Sequence, residues 1–376
     1  MPTLAPSSPE APAREPGSRY PLLDPLRGVA ATAVVLDHIA LLKFGYFAVL
    51  VFFVISGYCI VASAEAGLRR GMTIAEYMRR RLRRIYPPYL ISVVFFLITR
   101  AIKWRETGRF DLADRPPIQW IQTLTLTQWV DLLGVHGTYP YNSPSLFVAA
   151  HWSLNYEEQF YLFVGLAMVL CARIGARLRT ILLPFTVATL GLMAARPTLC
   201  IGLFVDYWPL FGVGVAVYYR LVHADERTLR RGLDAALGAL FLASLWLTLH
   251  RVRVRDERYI WEDLLVASSL AIFLVLVRPF QDRLMTLLPL RLLGKLGTVS
   301  YSLYLIHQFN VTLMVRIAGK LIPAERWSVA NLGLQLALHI ALASGFWWLF
   351  ERPFLNRPVG AVGARPGAAT VPALEP

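Results

Sequence analysis

The apolar residues of this 376-residue chain do not alternate as in a half-buried strand. They gather in runs of bilayer length, such as 44–64, 149–172 and 332–350. A run of about 20 apolar residues matches the ~30 Å hydrocarbon core of a membrane. Reading windows of that length along the chain predicts about ten helices, over 25–43, 46–66, 85–103, 149–172, 178–195, 198–219, 232–250, 261–278, 298–318 and 328–350. Only Arg196-Pro197 separates the fifth from the sixth. The stretch 118–134 is amphipathic, with Gln119, Gln122, Gln128 and Asp131, and reads as a surface or re-entrant helix. Segment 284–296, leucine-rich but carrying Arg291 and Lys295, reads as interfacial. The expected fold is an all-α, polytopic transmembrane helical bundle.

Composition agrees with that pattern. Hydrophobic residues make up 56% of the chain and charged residues 16%, with a mean hydropathy of +0.50. A soluble chain of this size needs far more charge to cover its surface. The net charge of +14 then has a simpler source than nucleic acid, because Lys and Arg collect in cytoplasmic loops and set orientation. The basic segments alternate along the predicted spans: 69–84, 173–179, 220–231, 278–295 and 352–357 fall on one side. The other side is diluted by Glu106, Asp111, Asp114, Asp256, Glu257, Glu262 and Asp263. Both termini are therefore expected in the cytoplasm, with the longest loop, about 104–148, outside. The domain organisation expected is a tail at 1–20, a transmembrane domain at 21–356 and a second tail at 357–376. Both tails are rich in Pro and Ala, a disordered composition, and the first lacks the apolar core of a signal peptide. Cys59, Cys171 and Cys200 all lie in apolar runs without a CxxC pair, so neither a disulfide framework nor a metal site is expected.

Ionisable residues inside spans are costly and so are candidates for function. The first span carries Arg27 and His38, eleven residues or about three turns apart, on one helix face and about 16 Å apart along the axis. Arg27 at the cytoplasmic mouth suits phosphate; His38, deeper, suits a general base. Each also has a structural reading, as a topology anchor or an interhelical bond. Asp37 is a further candidate, but it lies about 100° around the helix from His38, so no dyad is assumed. Ser56 and Gly57 are small enough for close helix packing. Arg81 and Arg84 belong to the run 79–84, which reads either as attraction to anionic lipid or as a cradle for a phosphate-rich cofactor. Glu157 and Glu158 open the fourth span, as helix-dipole partners or as an acid serving an imidazole. Tyr301, Tyr304 and His307 follow one another at i, i+3 spacing, which places them on one face.

Together these elements resemble the membrane-bound acyltransferase family 3. The resemblance rests on Leu23-Asp24-Pro25-Leu26-Arg27-Gly28 followed by His38, on Phe52-Phe53-Val54-Ile55-Ser56-Gly57-Tyr58, on Trp152-Ser153-Leu154-Asn155-Tyr156-Glu157-Glu158-Gln159-Phe160-Tyr161, and on Ser300-Tyr301-Ser302-Leu303-Tyr304-Leu305-Ile306-His307. Each motif alone is weakly specific; four in order carry the argument. Pro25 stands where Gly is more usual, at a helix start that tolerates it. The resemblance implies transfer of an acyl group, acetyl being expected, from acyl-CoA to a hydroxyl of an envelope glycan, a lipid-linked saccharide or a secondary metabolite, in the bacterial inner membrane. It also implies that His38 serves as general base or acyl carrier, that Arg27 with Arg81 or Arg84 holds CoA phosphates, and that Glu157, Asp37 and His307 support the centre. Ser56, Trp152, Ser153, Tyr301 and Tyr304 are the motif residues expected to shape it. The expected partners are lipid, acyl-CoA and a hydroxyl acceptor, with no nucleic acid and no metal. The fused esterase-like domain of the tandem form is not expected, since the chain stops soon after its last span. Two rival classes are a transporter or flippase of a glycan or lipid precursor, which predicts inverted repeats, and a glycosyltransferase, which predicts paired acids in the first outward loop, here only about 43–46.

Overall fold

The structure is a computed structural model, described for residues 20–355 apart from 41, 43, 109–111, 113, 133–142, 197–201, 224–225, 251–259 and 323–327. The two tails apart from Tyr20, together with Asp111, His136, Cys200 and the acidic residues 256 and 257, therefore lie outside the described residues; Tyr20, expected in the first tail, is 2% exposed. Within them every regular element is a helix. The ten long ones are α1 (Leu23–Ala40), α2 (Gly45–Arg69), α3 (Ile74–Thr107), α5 (Trp152–Ile174), α6 (Arg179–Ala195), α7 (Trp208–Val222), α8 (Arg227–Leu249), α9 (Ile260–Val277), α12 (Ser300–Leu321) and α13 (Val329–Phe346). Each falls on one of the ten predicted runs. The amphipathic stretch forms α4 (Pro117–Thr125) and a short 3-10 turn, Gln128–Leu132; after the four-residue α10 (Gln281–Leu284), the interfacial segment becomes α11 (Leu288–Thr298).

Five of these helices are long and apolar enough to cross a membrane: Gly45–Arg69, Ile74–Thr107, Arg227–Leu249, Ile260–Leu284 and Val329–Phe354. Helices α6 and α7 are apolar but shorter. Helix α1 holds Asp24, Arg27 and Asp37 in 18 residues, and α5 and α12 carry the glutamates, serines and tyrosines of the motifs. Leu162, Leu166, Leu170 and Ile174 make an exposed apolar ridge on α5, at the i, i+4 spacing that keeps one helix face toward lipid.

Helix α3 departs from the sequence expectation. The arginine run was placed in a loop before a span at 85–103, yet the helix begins at Ile74 and continues through Pro87 and Pro88. A capping box between Thr73 and Glu76 starts it, and Gly108 in the left-handed conformation ends it, both standard helix boundaries. At 34 residues it is about 51 Å long, so its first turns can carry Arg79–Arg84 beyond the ~30 Å apolar core.

The centre of the bundle is α7, buried at every position from Trp208 to Tyr219. It crosses α2 where Gly57 and Gly214 face each other: a Cβ on Gly57 would come within 2.0 Å of the Phe211 carbonyl oxygen, and one on Gly214 within 2.0 Å of that of Val54. A second close crossing seats α1 on α11, where a Cβ on Gly28 would meet the Leu293 carbonyl oxygen at 2.2 Å. Such small-residue contacts let membrane helices approach closely enough for dispersion to hold them. Helices α1, α2, α5, α3 and α12 then close around a common interior.

Gly57→Ala should lower the thermal unfolding midpoint in detergent by the equivalent of about 1–3 kcal/mol, as overpacking does. Gly191→Ala, where a Cβ meets nothing within 4 Å, should not. Equal midpoints for the two variants would show that the α2–α7 crossing can relax.

Candidate active site

Five helices contribute polar side chains to a cavity of roughly 80 Å³: Arg27 from α1, Ser56 from α2, Arg84 from α3, Ser153, Glu157 and Tyr161 from α5, and Ser300, Tyr301 and Tyr304 from α12. Phe52, Phe53, Ile85 and Leu154 supply the apolar wall. Seven of the sequence candidates thus meet in one place: Arg27, Arg84, Ser56, Ser153, Glu157, Tyr301 and Tyr304.

Glu157 takes its hydrogen bonds from hydroxyls, at 2.6 Å from Tyr161 and 3.5 Å from Ser56. Arg27 feels its charge. Glu158 turns the other way, to the Tyr86 hydroxyl at 2.5 Å on α3, so the two adjacent carboxylates do different work. Arg81 stands behind the cavity wall rather than in it, its guanidinium 5.4 Å from the centres of both the Tyr77 and Tyr161 rings. At that distance a guanidinium is attracted to a ring face, and Arg81 fixes the tyrosine that fixes Glu157.

Arg27 is one-fifth exposed and hydrogen-bonds Asp24 at 3.3 Å and the Cys59 sulfur at 3.2 Å. It also lines a second, more open cavity of roughly 380 Å³ with Asp24, Tyr58, Cys59 and Arg70. Its side chain is the partition shared by the two spaces.

His38 and His307 are not on the wall of the first cavity. They meet edge-to-face, ring centres 4.7 Å apart, and the His307 ring lies 5.9 Å from that of Tyr304. Tyr304 joins the two regions: it lines the cavity, and its hydroxyl bonds the Ser153 hydroxyl at 2.7 Å and donates to the Ala150 carbonyl. The His38 Nδ1 lies 3.0 Å from the Val34 carbonyl oxygen. A carbonyl only accepts, so Nδ1 carries the hydrogen and Nε2 is left as an acceptor. Asp37 lies against the start of α2, where its side chain fills the space beside Gly45 and complements the positive end of that helix. His151 donates from Nε2 to the Leu305 carbonyl at 3.0 Å and ties α5 to α12. Trp152 packs into the aromatic core against Phe53, Tyr156 and Tyr207.

Sequence reasoning missed three contributors. Cys59 bonds Arg27, and nothing about a cysteine in an apolar run foretells that. Tyr161 was part of a motif without a role. Glu351, just past the last predicted span, is 3% exposed and accepts from the Ser302 backbone N–H at 3.2 Å and the Ser302 hydroxyl at 2.5 Å. That N–H belongs to the first turn of α12 and has no partner inside its helix. Glu351 therefore caps the helix that carries Tyr301, Tyr304 and His307; its rarity in an apolar span was the available signal.

The family described as Acyltransferase domain matches residues 20–351 of the chain. Over 157 residues the chain is 30% identical to BcsY of Komagataeibacter xylinus, a protein that carries the name of a membrane-bound transacylase; the alignment takes in 41% of this chain and 39% of that protein. The chain thus spans about two fifths of the length of that curated relative. No solved structure matches.

Glu351→Ala should leave the Ser302 N–H buried without an acceptor, at a cost of about 1–3 kcal/mol, read as a lowered unfolding midpoint. Glu351→Gln, which keeps an acceptor oxygen, should recover most of it. A wild-type midpoint for Glu351→Ala would show that α12 needs no such cap.

Proposed function

This chain belongs to the acyltransferase family matched across residues 20–351, and from that premise we propose that it moves an acyl group, acetyl first, from acyl-CoA to a hydroxyl of a cell-envelope glycan, a lipid-linked saccharide or a secondary metabolite. The observation that carries the reading is the cavity lined by Arg27, Arg84 and Glu157, whose Tyr304 wall leads to His38 and His307. In the proposed topology ten helices span the bacterial inner membrane with both termini in the cytoplasm, residues 21–356 forming the transmembrane domain between two tails. The basic segments then face the side where acyl-CoA is made.

Arg27 and Arg84 hold the phosphates, because a guanidinium pairs with phosphate through charge-assisted, often bidentate hydrogen bonds. From there the pantetheine arm extends along α1 toward His38, about 16 Å up the helix. An alcohol is a poor nucleophile at neutral pH and needs a base. His38, its Nδ1–H held by the Val34 carbonyl, presents Nε2 for that purpose. As the new C–O bond forms, the hydroxyl proton passes to Nε2; the C–S bond breaks, its electron pair stays on the CoA sulfur, and the proton is finally returned there. Glu157 keeps the two arginines from leaving a net positive cavity empty of partners. Tyr161 and Ser56 hold Glu157, and Arg81 holds Tyr161.

With protein in proteoliposomes and radiolabelled acetyl-CoA, Arg27→Ala and Arg84→Ala should raise the KM for acetyl-CoA by about tenfold or more, since a lost charged hydrogen bond is worth about 1.5–3 kcal/mol. Arg81→Ala should raise it less, and Arg27→Lys should rescue only in part. His38→Ala should insert and bind acetyl-CoA yet lose acyl transfer by about 10²–10⁴-fold. Unchanged donor kinetics in all three arginine variants, or near-normal transfer by His38→Ala, would contradict the assignment.

A further inference from the structure

Helix α13 carries a third imidazole into the same layer. His339 is 1% exposed and His307 0% exposed, and α13 packs against both α12 and α1, the helices that carry His307 and His38. All three rings hold their hydrogen in the same way. The His307 Nδ1 donates to the Tyr304 carbonyl at 2.8 Å, the His339 Nδ1 to the Gln335 carbonyl at 2.8 Å, and the His38 Nδ1 to the Val34 carbonyl at 3.0 Å. Each is thereby fixed as the Nδ1–H tautomer, which leaves Nε2 as the free lone pair. The Nε2 atoms of His307 and His339 are buried and find no donor in the protein. Two buried acceptors beside a third basic nitrogen can take up a proton, or water that carries one.

The sequence around His339 supports the same use. Asn331, Gln335 and His339 follow at i, i+4 and i+8, each 1% exposed or less, and the Gln335 amide donates to the Asn331 side-chain oxygen at 2.7 Å. Polar side chains on one face of a membrane helix are costly unless they serve a path or a site. Asn310, one turn beyond His307 and 5% exposed, continues the polar layer on α12.

Resting on the acyl-transfer reading, we propose that His339 is a proton-relay residue acting through His38. The proton that the attacking hydroxyl yields to the His38 Nε2 is shared, directly or through water, with the Nε2 atoms of His307 and His339. As the C–S bond breaks and the sulfur keeps its electron pair, that proton passes back to the CoA thiolate, which leaves all three imidazoles neutral. No further reactant is required. His339 touches neither donor nor acceptor; it positions and stabilises the charge that His38 acquires.

The test uses the full-length protein in detergent with acetyl-CoA, water serving as the acceptor hydroxyl, and follows thiol release. In His339→Asn the side-chain amide can still donate to the Gln335 carbonyl, but no titratable nitrogen remains; His339→Gln is the second variant. The expected result is normal insertion and an unchanged KM for acetyl-CoA. kcat should fall about 10²-fold, the lower end of what loss of an acid–base group costs, and the solvent deuterium isotope effect on kcat should change. Wild-type kcat and isotope effect in either inserted variant would overturn the proposal. Failure of both to insert would overturn it too, by assigning His339 to packing alone. If the wild-type protein neither binds nor cleaves acetyl-CoA, the donor reading itself fails and this inference goes with it.

Discussion

Hydrocarbon offers a polar side chain no water, so each polar group in this bundle must be satisfied by another part of the protein. Much of the architecture answers that requirement. Arg27 is held between Asp24 and the Cys59 sulfur, Glu157 between Tyr161 and Ser56, Glu158 by Tyr86, and Glu351 by the start of α12. These bonds connect α1 to α2, α2 to α5, α3 to α5 and α12 to the residues after α13. Glycine contacts seat two of these helices closely on their neighbours, α2 on α7 and α1 on α11.

Charge and base are kept apart. The arginines and Glu157 face one cavity, whereas the imidazoles occupy a neighbouring layer behind Tyr304. A guanidinium beside an imidazole would disfavour the protonated form that a general base must pass through. Separation by about three turns of α1 lets one helix contribute to both regions without that conflict. It also suits a donor whose charged phosphates and reactive thioester are far apart.

Much of this was legible in the sequence because the physics is local. Runs of apolar residues gave helices at ten predicted places, polar residues inside those runs pointed to Arg27, Ser56, Glu157 and Tyr301, and the basic run before the third pointed to Arg84; all five meet at one cavity. What could not be read depends on which helix faces cross. His339 is the one histidine in the predicted span 328–350, and only the packing of α13 against α1 and α12 brings that helix beside those of His38 and His307. The role of Glu351 is hidden because the sequence does not show that α12 begins beside it. Arg81 and Arg84 were equivalent in sequence, yet three residues of helix rotation, about 300°, put one against the back of Tyr161 and the other in the cavity. The start of α3 was missed because a basic, proline-interrupted stretch looks like a loop, whereas its capping box lies upstream at Thr73.

The central claim is that one elongated donor links the arginine cavity to the histidine layer. A structure of the protein with bound CoA tests it most directly. The account predicts phosphates against Arg27 and Arg84 and the sulfur end turned along α1 toward Tyr304 and His38. CoA bound away from Arg27 and Arg84, or held there with its sulfur directed away from His38, would contradict it.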